Sequence, residues 1–444
     1  MMRLRDLHDC FEGVIPSIIA STAADGTPNI SYLSHVVMVD DDHVAIFNQF
    51  FAKTAANIRA NPQAALMLVS ARHGGQFRLD VTWVSSRDDG SLFEQVSNQL
   101  RASSVQVGMA GIMRLRAVDI FRVDAISAVA CSSQIADIGV PSPAPDLMAV
   151  GRVMKAIAAQ TDTDGVVAAM LKGISDELGF DHAILLLSDD AHRLLTTVAS
   201  RGYSRFGIGS EVLFDDGLIG VSASARHSVK ISDMSRVRRF RGAIEATSSA
   251  DENRTRTIAL PGLPDAMSQM AVPLLAQGIV RGVLFVESRE RLAFGAVHEM
   301  ALGMVAEQSA LALALCETLA SEAAPTAPQA APERVSSRVI QVLHHHFDDS
   351  IFIDSAYVIK GVAGRLLAFM LDVYIKEGRS QFTNREIRLA EALRLPEIKD
   401  NLETRLLLLR RRLDEKNLPV RLCHEGRGKV RLAIDGVPVL AKAG

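Results

Sequence analysis

Cysteine is scarce in this 444-residue chain, and the four cysteines that occur stand far apart. They are Cys10, Cys131, Cys316 and Cys423, and no two of them form a CxxC pair. This spacing excludes a disulfide framework and a zinc site built from paired cysteines. We interpret each cysteine as a small, reduced, buried side chain, with a redox-sensing thiol as the alternative.

Long apolar runs and catalytic motifs are also missing. No uninterrupted apolar run approaches the ~20 residues that a membrane span needs. The opening MMRLRDLHDC lacks the apolar stretch of a secretory signal, so we expect a cytoplasmic protein with no membrane partner. Without a P-loop, a nucleophile elbow or a local acid/base pair, no catalytic residue is predicted. The side chains of His344–His346 would point in different directions around a predicted helix and could not converge on one metal ion. No metal site is therefore predicted.

The chain divides into three segments. Two stretches rich in Ala, Pro and Ser, at 132–146 and 321–332, are typical of linkers and leave segments 1–130, 147–320 and 333–444. Residues 331–444 carry 20 Lys and Arg against 15 Asp and Glu, a net +5, whereas the first 330 residues carry 28 against 36, a net −8. A basic end on an acidic body indicates one module that binds a polyanion.

The first segment has short strand patterns and a small helix, which predict a β-barrel. Its strings IPSIIASTAADGTPNISYLSHV, with one strand expected over 30–39, and HVAIFNQFFAKTAANIRANPQAALMLV resemble the FMN-binding split barrel of the pyridoxamine-phosphate oxidases. The resemblance implies that the FMN phosphate lies at the turn from strand to helix, where a cation and free N–H groups would hold it. The matching residues are Asn48, Gln49, Phe50, Lys53 and Thr54.

This turn departs from the family in one respect. The oxidases themselves carry two adjacent basic residues there, whereas only Lys53 is basic in this chain. A barrel without a cofactor is therefore one alternative to FMN. The resemblance implies haem as another, because some relatives of this barrel bind it, and His35 and His73 are then the candidate ligands.

The second segment alternates helix and strand patterns, beginning with a helical periodicity over 146–178. Its strings IGSEVLFDDGLIGVSASARHSVKISDMS and SQMAVPLLAQGIVRGVLFVES resemble a GAF domain. The resemblance implies an α/β sandwich that binds a small molecule under a lid, or dimerises through its flanking helices. The polar stretch 235–264 is the candidate lid. Its arginines at 236, 238, 239 and 241 are candidates for an anionic ligand, with a solvated loop as the alternative.

The third segment begins with a helix predicted over 335–346 and a long helix over 362–376, which is expected to end at Gly378. The capping box from Thr383 to Glu386 opens a short helix, and a third helix runs to about Glu415. Two strands then flank a glycine-containing turn at 425–428. The string LETRLLLLRRRLDEKNLPVRLCHEGRGKVRLAI resembles the winged helix-turn-helix of response regulators.

The resemblance implies that the third helix enters the major groove while the hairpin contacts the backbone or minor groove. At helical spacing the packing face of this helix carries Leu402, Leu406, Leu409 and Leu413. Its outward face carries polar and basic side chains, although Leu407 and Leu408 depart from the family there. A protein-contact module is therefore the alternative. The predicted DNA contacts are Asn401, Thr404, Arg405, Arg411, Arg412, Arg427 and Lys429.

The predicted fold class is multi-domain α+β, with an N-terminal split β-barrel, a central GAF α/β sandwich and a C-terminal winged helix-turn-helix. We expect a ligand- or redox-responsive transcription regulator that binds double-stranded DNA and takes a small-molecule ligand in its barrel or GAF domain. A homodimer is expected because split barrels of this type are usually two-fold dimers. The alternatives are a flavin-dependent oxidoreductase with regulatory domains and a scaffold without a cofactor.

Overall fold

A computed structural model describes residues 2–33, 35–48, 52–106, 115–130, 144–189, 192–235, 256–321, 338–393, 402–426 and 428–443. Within these ranges the chain builds four β-sheets of seven, six, four and three strands. The first sheet belongs to the N-terminal segment, the second to the central segment, and the last two to the C-terminal segment.

The N-terminal sheet is antiparallel throughout, with the order β2-β1-β5-β6-β7-β4-β3. Its strands are β1 (Ser17–Thr22), β2 (Pro28–Leu33), β3 (Val36–Met38), β4 (His43–Asn48), β5 (Gln63–Val69), β6 (Gln76–Arg87) and β7 (Ala117–Val129). The helices are α1 (Ala52–Ala60), α2 (Gly90–Gln106) and a 3-10 helix over Leu4–Phe11.

The two edge strands of this sheet, β2 and β3, are separated by only two residues in the chain. A connection this short between opposite edges requires the sheet to curl back on itself, as a split barrel does. The single strand predicted over 30–39 was therefore wrong, because the chain turns a corner between β2 and β3. Leu4 and Leu7 of the 3-10 helix are buried in the same apolar core as Ile19 and Leu66.

The central domain places helices on an antiparallel sheet of order β10-β9-β8-β13-β12-β11. Its strands are β8 (His182–Asp189), β9 (Leu194–Arg201), β10 (Glu211–Leu213), β11 (Val229–Ile231), β12 (Ser268–Ala276) and β13 (Ile279–Ser288). Its helices are α3 (Leu147–Ala158), α4 (Thr163–Asp176), α5 (Gly217–Ala225) and α6 (Ala296–Ser321).

The helical pattern over 146–178 forms two helices instead of one. Asp146 caps α3 by accepting from the backbone N–H of Met148, and Asp162 caps α4 by accepting from that of Gly165. Each aspartate satisfies a free donor at a helix start, so the chain restarts at the second cap.

Helix α6 is the one helix of the described residues that is long and apolar enough to cross a membrane by length and composition. Of its apolar window, 44% is buried within the structure. Leu302, Val305 and Leu313 contribute to the core of the central domain, so α6 serves as a core helix there.

The C-terminal domain combines a four-stranded sheet, a three-stranded sheet and helices. Its elements are β14 (Val339–His345), β15 (Ser350–Ile353), β16 (Ala356–Ile359), α7 (Gly361–Glu377), β17 (Gln381–Thr383), α8 (Asn384–Leu389), a 3-10 turn over Glu391–Leu393, α9 (Leu402–Glu415), β18 (Val420–His424), β19 (Lys429–Ile434) and β20 (Val437–Ala443). The sheet orders are β16-β15-β14-β20 and β17-β19-β18, and β20 lies parallel to β14.

The helix predicted over 335–346 was wrong, because these residues form strand β14 from Val339 onward. Ile340 and Val342 are buried while Val339 and Gln341 are exposed, which is the two-residue alternation of a strand. Three consecutive histidines therefore lie on a strand and its turn.

Ion pairs and hydrogen bonds join the barrel to the central domain. The Glu12 carboxylate accepts from Lys230 Nζ at 2.9 Å and from Ser232 Oγ at 2.6 Å. Arg72 donates to the carbonyl of Leu292 at 3.0 Å. Ion pairs also join the central domain to helix α9 of the C-terminal domain.

Candidate functional site

The predicted phosphate turn of the barrel lies at the start of helix α1. Lys53 is exposed in its first turn, where a cation and free backbone N–H groups would both face an anion. Thr54 is only 2% exposed, and its hydroxyl hydrogen-bonds Asn29 Nδ2 at 3.1 Å and Ser31 Oγ at 3.0 Å. Lys53 therefore fits a phosphate, whereas Thr54 fastens α1 to β2. Asn48 ends β4, and Gln49 and Phe50 lie outside the described residues.

The two histidines considered for haem are both engaged in packing or turns. The His35 ring stacks on Phe47 with centroids 5.3 Å apart, and burial lowers its pKa. A Cβ placed on Gly13 would lie 2.2 Å from His35 Nδ1, so the backbone presses directly on the ring. The Nδ1 of His73 accepts from the N–H of Gly75 at 3.1 Å. Among the described residues no group of three or more His, Cys, Asp and Glu is placed to hold a metal ion.

Cys10 is placed where a redox-sensing thiol would be inactive. It is buried in the barrel core, and burial, together with the charge of Asp9, raises the pKa of its thiol to about 12. Since the thiolate is the reactive form, Cys10 is a structural side chain.

The central domain anchors part of its candidate lid on a buried carboxylate. Glu287, 4% exposed at the end of β13, accepts from the Tyr203 hydroxyl at 2.8 Å, Gln269 Nε2 at 2.8 Å and the N–H of Leu263 at 3.0 Å. These three donors are neutral, and their hydrogen bonds offset the cost of burying the carboxyl group. The four arginines proposed for an anionic ligand, at 236, 238, 239 and 241, lie outside the described residues.

Helices α8 and α9 of the C-terminal domain are positioned by local signals and by an apolar face. The capping box is present: Thr383 Oγ1 accepts from the Glu386 N–H at 3.2 Å, and Glu386 accepts from the Thr383 N–H at 3.5 Å. On α9 the predicted inner face is confirmed, since the leucines there are buried in the core of their own domain. They are Leu402, Leu406, Leu409 and Leu413.

The opposite face of α9, predicted to face DNA, lies against the central domain in this structure. Arg405 pairs with Asp189 at 3.1 Å, and Arg410 and Arg411 pair with Asp164 at 2.6 and 2.8 Å. Leu407 is 4% exposed and belongs to the apolar core of the central domain. The predicted contact face is therefore covered by protein.

Other polar groups extend this contact along α9. The Thr404 hydroxyl donates to Glu317 Oε1 on α6 at 3.4 Å, and the Gly207 N–H donates to Glu415 Oε1 at 3.0 Å. Nearby, Lys360 pairs with Glu211 at 3.0 Å. The contact thus uses both ends of α9 and several elements of the central domain.

Three carboxylates of the central domain form what we call the acidic docking surface: Asp164, Asp189 and Glu317. Burial by itself would raise the pKa of Asp164. The charges of Arg411 and Arg410 outweigh this effect, so the pKa lies below its ordinary value. Burial likewise opposes ionisation of Asp189, while His192 and Arg405 hold its pKa low. Burial raises the pKa of Glu317, against the opposing charge of Arg281. These residues were missed from sequence because they lie on separate elements of another domain.

Arg412, predicted to meet phosphates, is 1% exposed. Its Nε donates to the carbonyl of Val358 at 2.9 Å, and its Nη1 pairs with Glu415 at 2.7 Å. The prediction that Arg412 contacts DNA was wrong, because the side chain crosses the interior of its own domain to satisfy a strand carbonyl.

The remaining predicted DNA contacts lie at or beyond the ends of the described elements. Lys429 begins β19 and is half-buried. Asn401 and Arg427 lie outside the described residues.

The barrel sheet and the α/β sandwich define a multi-domain α+β protein, an arrangement that fits a sensory or regulatory role. The family profile of pyridoxamine 5'-phosphate oxidase matches residues 6–127, and that of the GAF domain matches residues 160–314. The chain thus contains a pyridoxamine-phosphate-oxidase-like N-terminal domain and a central GAF domain, as predicted.

Solved structures similar to parts of the chain include the GAF domain of an Acinetobacter phosphoenolpyruvate-protein phosphotransferase, at 20% identity over 39% of this chain and 95% of that one, with a TM-score of 0.32. An FMN-binding protein from Syntrophomonas wolfei matches at 16% identity over 29% and 90%, with a TM-score of 0.24. Free methionine-R-sulfoxide reductase from Neisseria meningitidis, in complex with its substrate, matches at 17% identity over 38% and 87%, with a TM-score of 0.29. None of the curated proteins matches the chain.

Proposed function

We propose that this protein is a transcription regulator in which the barrel and GAF domains sense a signal and the C-terminal domain binds duplex DNA as a winged helix. The observation that carries the proposal is the order of elements around α9. A capped helix precedes it, a hairpin with glycine at its turn follows it, and its outer face carries Arg405 and Arg411. Guanidinium groups on such a helix suit both phosphates and guanine edges.

The charge of this region supports the same proposal. Residues 405–431 contain nine Lys and Arg against three Asp and Glu, a net +6, within a chain whose net charge is −3. Because non-specific DNA affinity comes mainly from cations replacing counterions, a local excess of this size favours a polyanion partner.

The test is replacement of Arg405, Arg411 and Arg427 together by alanine in the full chain. We expect affinity for a mixed-sequence 40-base-pair duplex to fall at least tenfold, and the slope of log K against log salt to fall by roughly 2 to 3 units, about 0.9 per lost phosphate contact. Fluorescence anisotropy across a salt series measures both quantities.

The matched control replaces Arg78, Arg122 and Arg152, which are exposed on the other two domains, and so changes the net charge equally. Its affinity and salt slope should stay near those of the wild type. Equal binding by wild type and the Arg405/Arg411/Arg427 variant would remove the DNA-binding proposal.

We propose FMN as the ligand of the barrel, with the Lys53 ammonium on its phosphate. Lys53→Ala is expected to weaken FMN binding about tenfold to hundredfold, since hydrogen bonds to charged groups contribute roughly 1.5–3 kcal/mol. Quenching of flavin fluorescence during titration measures the dissociation constant. Arg59, an exposed cation at the far end of α1, is the matched control.

Riboflavin separates the phosphate contact from other effects of the substitution. It lacks the phosphate, so the wild type and the Lys53→Ala variant should bind it equally. A variant that binds FMN as tightly as the wild type does would exclude Lys53 from the site.

The homodimer stays a prediction. Exposed apolar side chains along α6 support it, because a stripe of this kind is a common feature of helix–helix interfaces. They are Val297, Met300, Met304, Leu311 and Leu315.

A further inference from the structure

We infer that helix α9 has two mutually exclusive partners, the acidic docking surface of the GAF domain and duplex DNA, and that this structure is the DNA-incompetent form. The inference rests on the proposed function, since it assigns a means of control to the same helix. It makes the GAF domain a direct competitor of DNA.

The first support is that DNA and the GAF domain would require the same atoms. Arg411 donates Nε and Nη2 to Asp164, at 3.0 and 2.8 Å, and Nη1 to the carbonyl of Val198 at 3.4 Å. All of its guanidinium nitrogens are thus directed at the GAF domain. A phosphate or a guanine edge would have to displace these acceptors.

The second support is that the contact is apolar as well as ionic. Leu407 is inserted into the GAF core, and Leu408 packs against both the GAF core and the core of the C-terminal domain. These leucines are the residues that depart from the pattern of a groove-facing helix. Packing on the GAF domain accounts for Leu407, because an apolar side chain there is removed from water only in the docked arrangement. It also covers part of Leu408, which the core of its own domain covers in addition.

The third support is that the docking surface is assembled from separate GAF elements. Asp164 lies in the first turn of α4, Asp189 ends β8, and Glu317 lies on α6. A shift of these elements relative to one another would misalign the carboxylates with α9. A ligand that favours such a shift would release the helix, because a ligand changes a conformational equilibrium only by binding its two states differently.

The arginine pairs that hold α9 are partly shielded from solvent. The side chains of Arg405, Arg410 and Arg411 are 18–20% exposed, whereas those of Asp189 and Asp164 are 20% and 41% exposed. Such pairs are less screened by salt than fully exposed ones. The docked form is therefore expected to persist at the ionic strength of a cell.

The test compares the full-length wild type with the double variant Asp164→Asn/Asp189→Asn, using a fluorescein-labelled 40-base-pair duplex of mixed sequence. Both substitutions lie outside the C-terminal domain. We expect the variant to bind the duplex at least tenfold more tightly, because its arginines are released from the GAF carboxylates. Hydrogen exchange of peptides covering α9 and residues 204–210 should be faster in the variant without DNA.

The matched control is Asp176→Asn/Asp265→Asn. These aspartates pair with Arg201 and Arg289 inside the GAF domain, so the charge change is the same and the docking surface is intact. DNA affinity of the control should stay within about twofold of the wild type. A second variant, Leu407→Ala, weakens docking without a change in charge and should raise DNA affinity at least threefold.

The outcomes separate the inference from the proposed function. If wild type and docking variant bind DNA equally well, the competition is overturned while DNA binding stands. If exchange in α9 is unchanged by the double substitution, the carboxylates do not hold the helix, and the inference is overturned. If neither protein binds DNA although α9 of the variant exchanges faster, the proposed function fails, and with it the competition by DNA.

Discussion

Replacing Arg412 by alanine is expected to destabilise the C-terminal domain by about 3–5 kcal/mol, the usual cost of breaking a buried ion pair from one side. The Glu415 carboxylate, 16% exposed, would lose its cation, and the carbonyl of Val358 would lose a donor. Arg412 is also among the largest fully buried side chains, so truncation leaves a cavity as well.

Urea unfolding followed by hydrogen exchange in peptides from α7 and α9 measures this change, because it reports on the C-terminal domain separately from the other two domains. Arg421 on β18 is the control. It is exposed, and its replacement by alanine should change stability by less than about 0.5 kcal/mol. Comparable stabilities for the two variants would contradict the buried role of Arg412. Loss of DNA binding in the Arg412 variant would reflect unfolding and not a lost contact.

Glu287→Ala is expected to destabilise the GAF domain by about 3 kcal/mol or more. The substitution removes the shared acceptor of Tyr203, Gln269 and the Leu263 N–H, and an unsatisfied buried donor costs roughly 1–3 kcal/mol. Because Leu263 belongs to the candidate lid, that segment should lose protection first.

Hydrogen exchange of peptides covering 257–267, together with thermal unfolding, measures this effect. Glu287→Gln retains one acceptor oxygen and nearly the same shape, so it should destabilise the domain by less than half as much. If alanine and glutamine variants are equally stable, the carboxylate does not anchor the lid.

Signals contained within a few residues were readable from sequence. The capping box at Thr383–Glu386 and the left-handed glycine that ends α7, Gly378 with φ of 68°, are both confirmed. Such features depend on neighbours in the chain, because a cap satisfies donors or acceptors of the same helix end. The strings matching the barrel and the GAF domain were similarly informative.

Features that depend on distant partners were not readable in this way. Strand β14 pairs with β20, almost a hundred residues later, and this pairing overrides a helical interpretation of 335–346. The corner between β2 and β3 likewise follows from the closure of the whole barrel sheet. Local propensity is weak evidence for secondary structure in both places, because tertiary packing determines which conformation the residues adopt.

The same difference between local signals and distant partners applies to the candidate site. Helical spacing correctly assigned the inner leucines of α9, but spacing cannot identify what covers the outer face. Leu407 and Leu408 were recognisable as unusual, yet Asp164 and Asp189 carry no local signal that marks them as partners of α9. Arg412 was misassigned because its acceptor, the carbonyl of Val358, belongs to a strand 54 residues earlier.

The pairing of β20 with β14 has a practical consequence for work with this protein. Since β20 forms the outer edge of the four-stranded sheet, deleting residues 437–443 would uncover the N–H and C=O groups of β14. A bare edge of that kind templates strand addition between molecules. Protein that lacks residues 437–443 would therefore be prone to self-association. An affinity tag is better attached at the amino end than at the carboxyl end, next to β20.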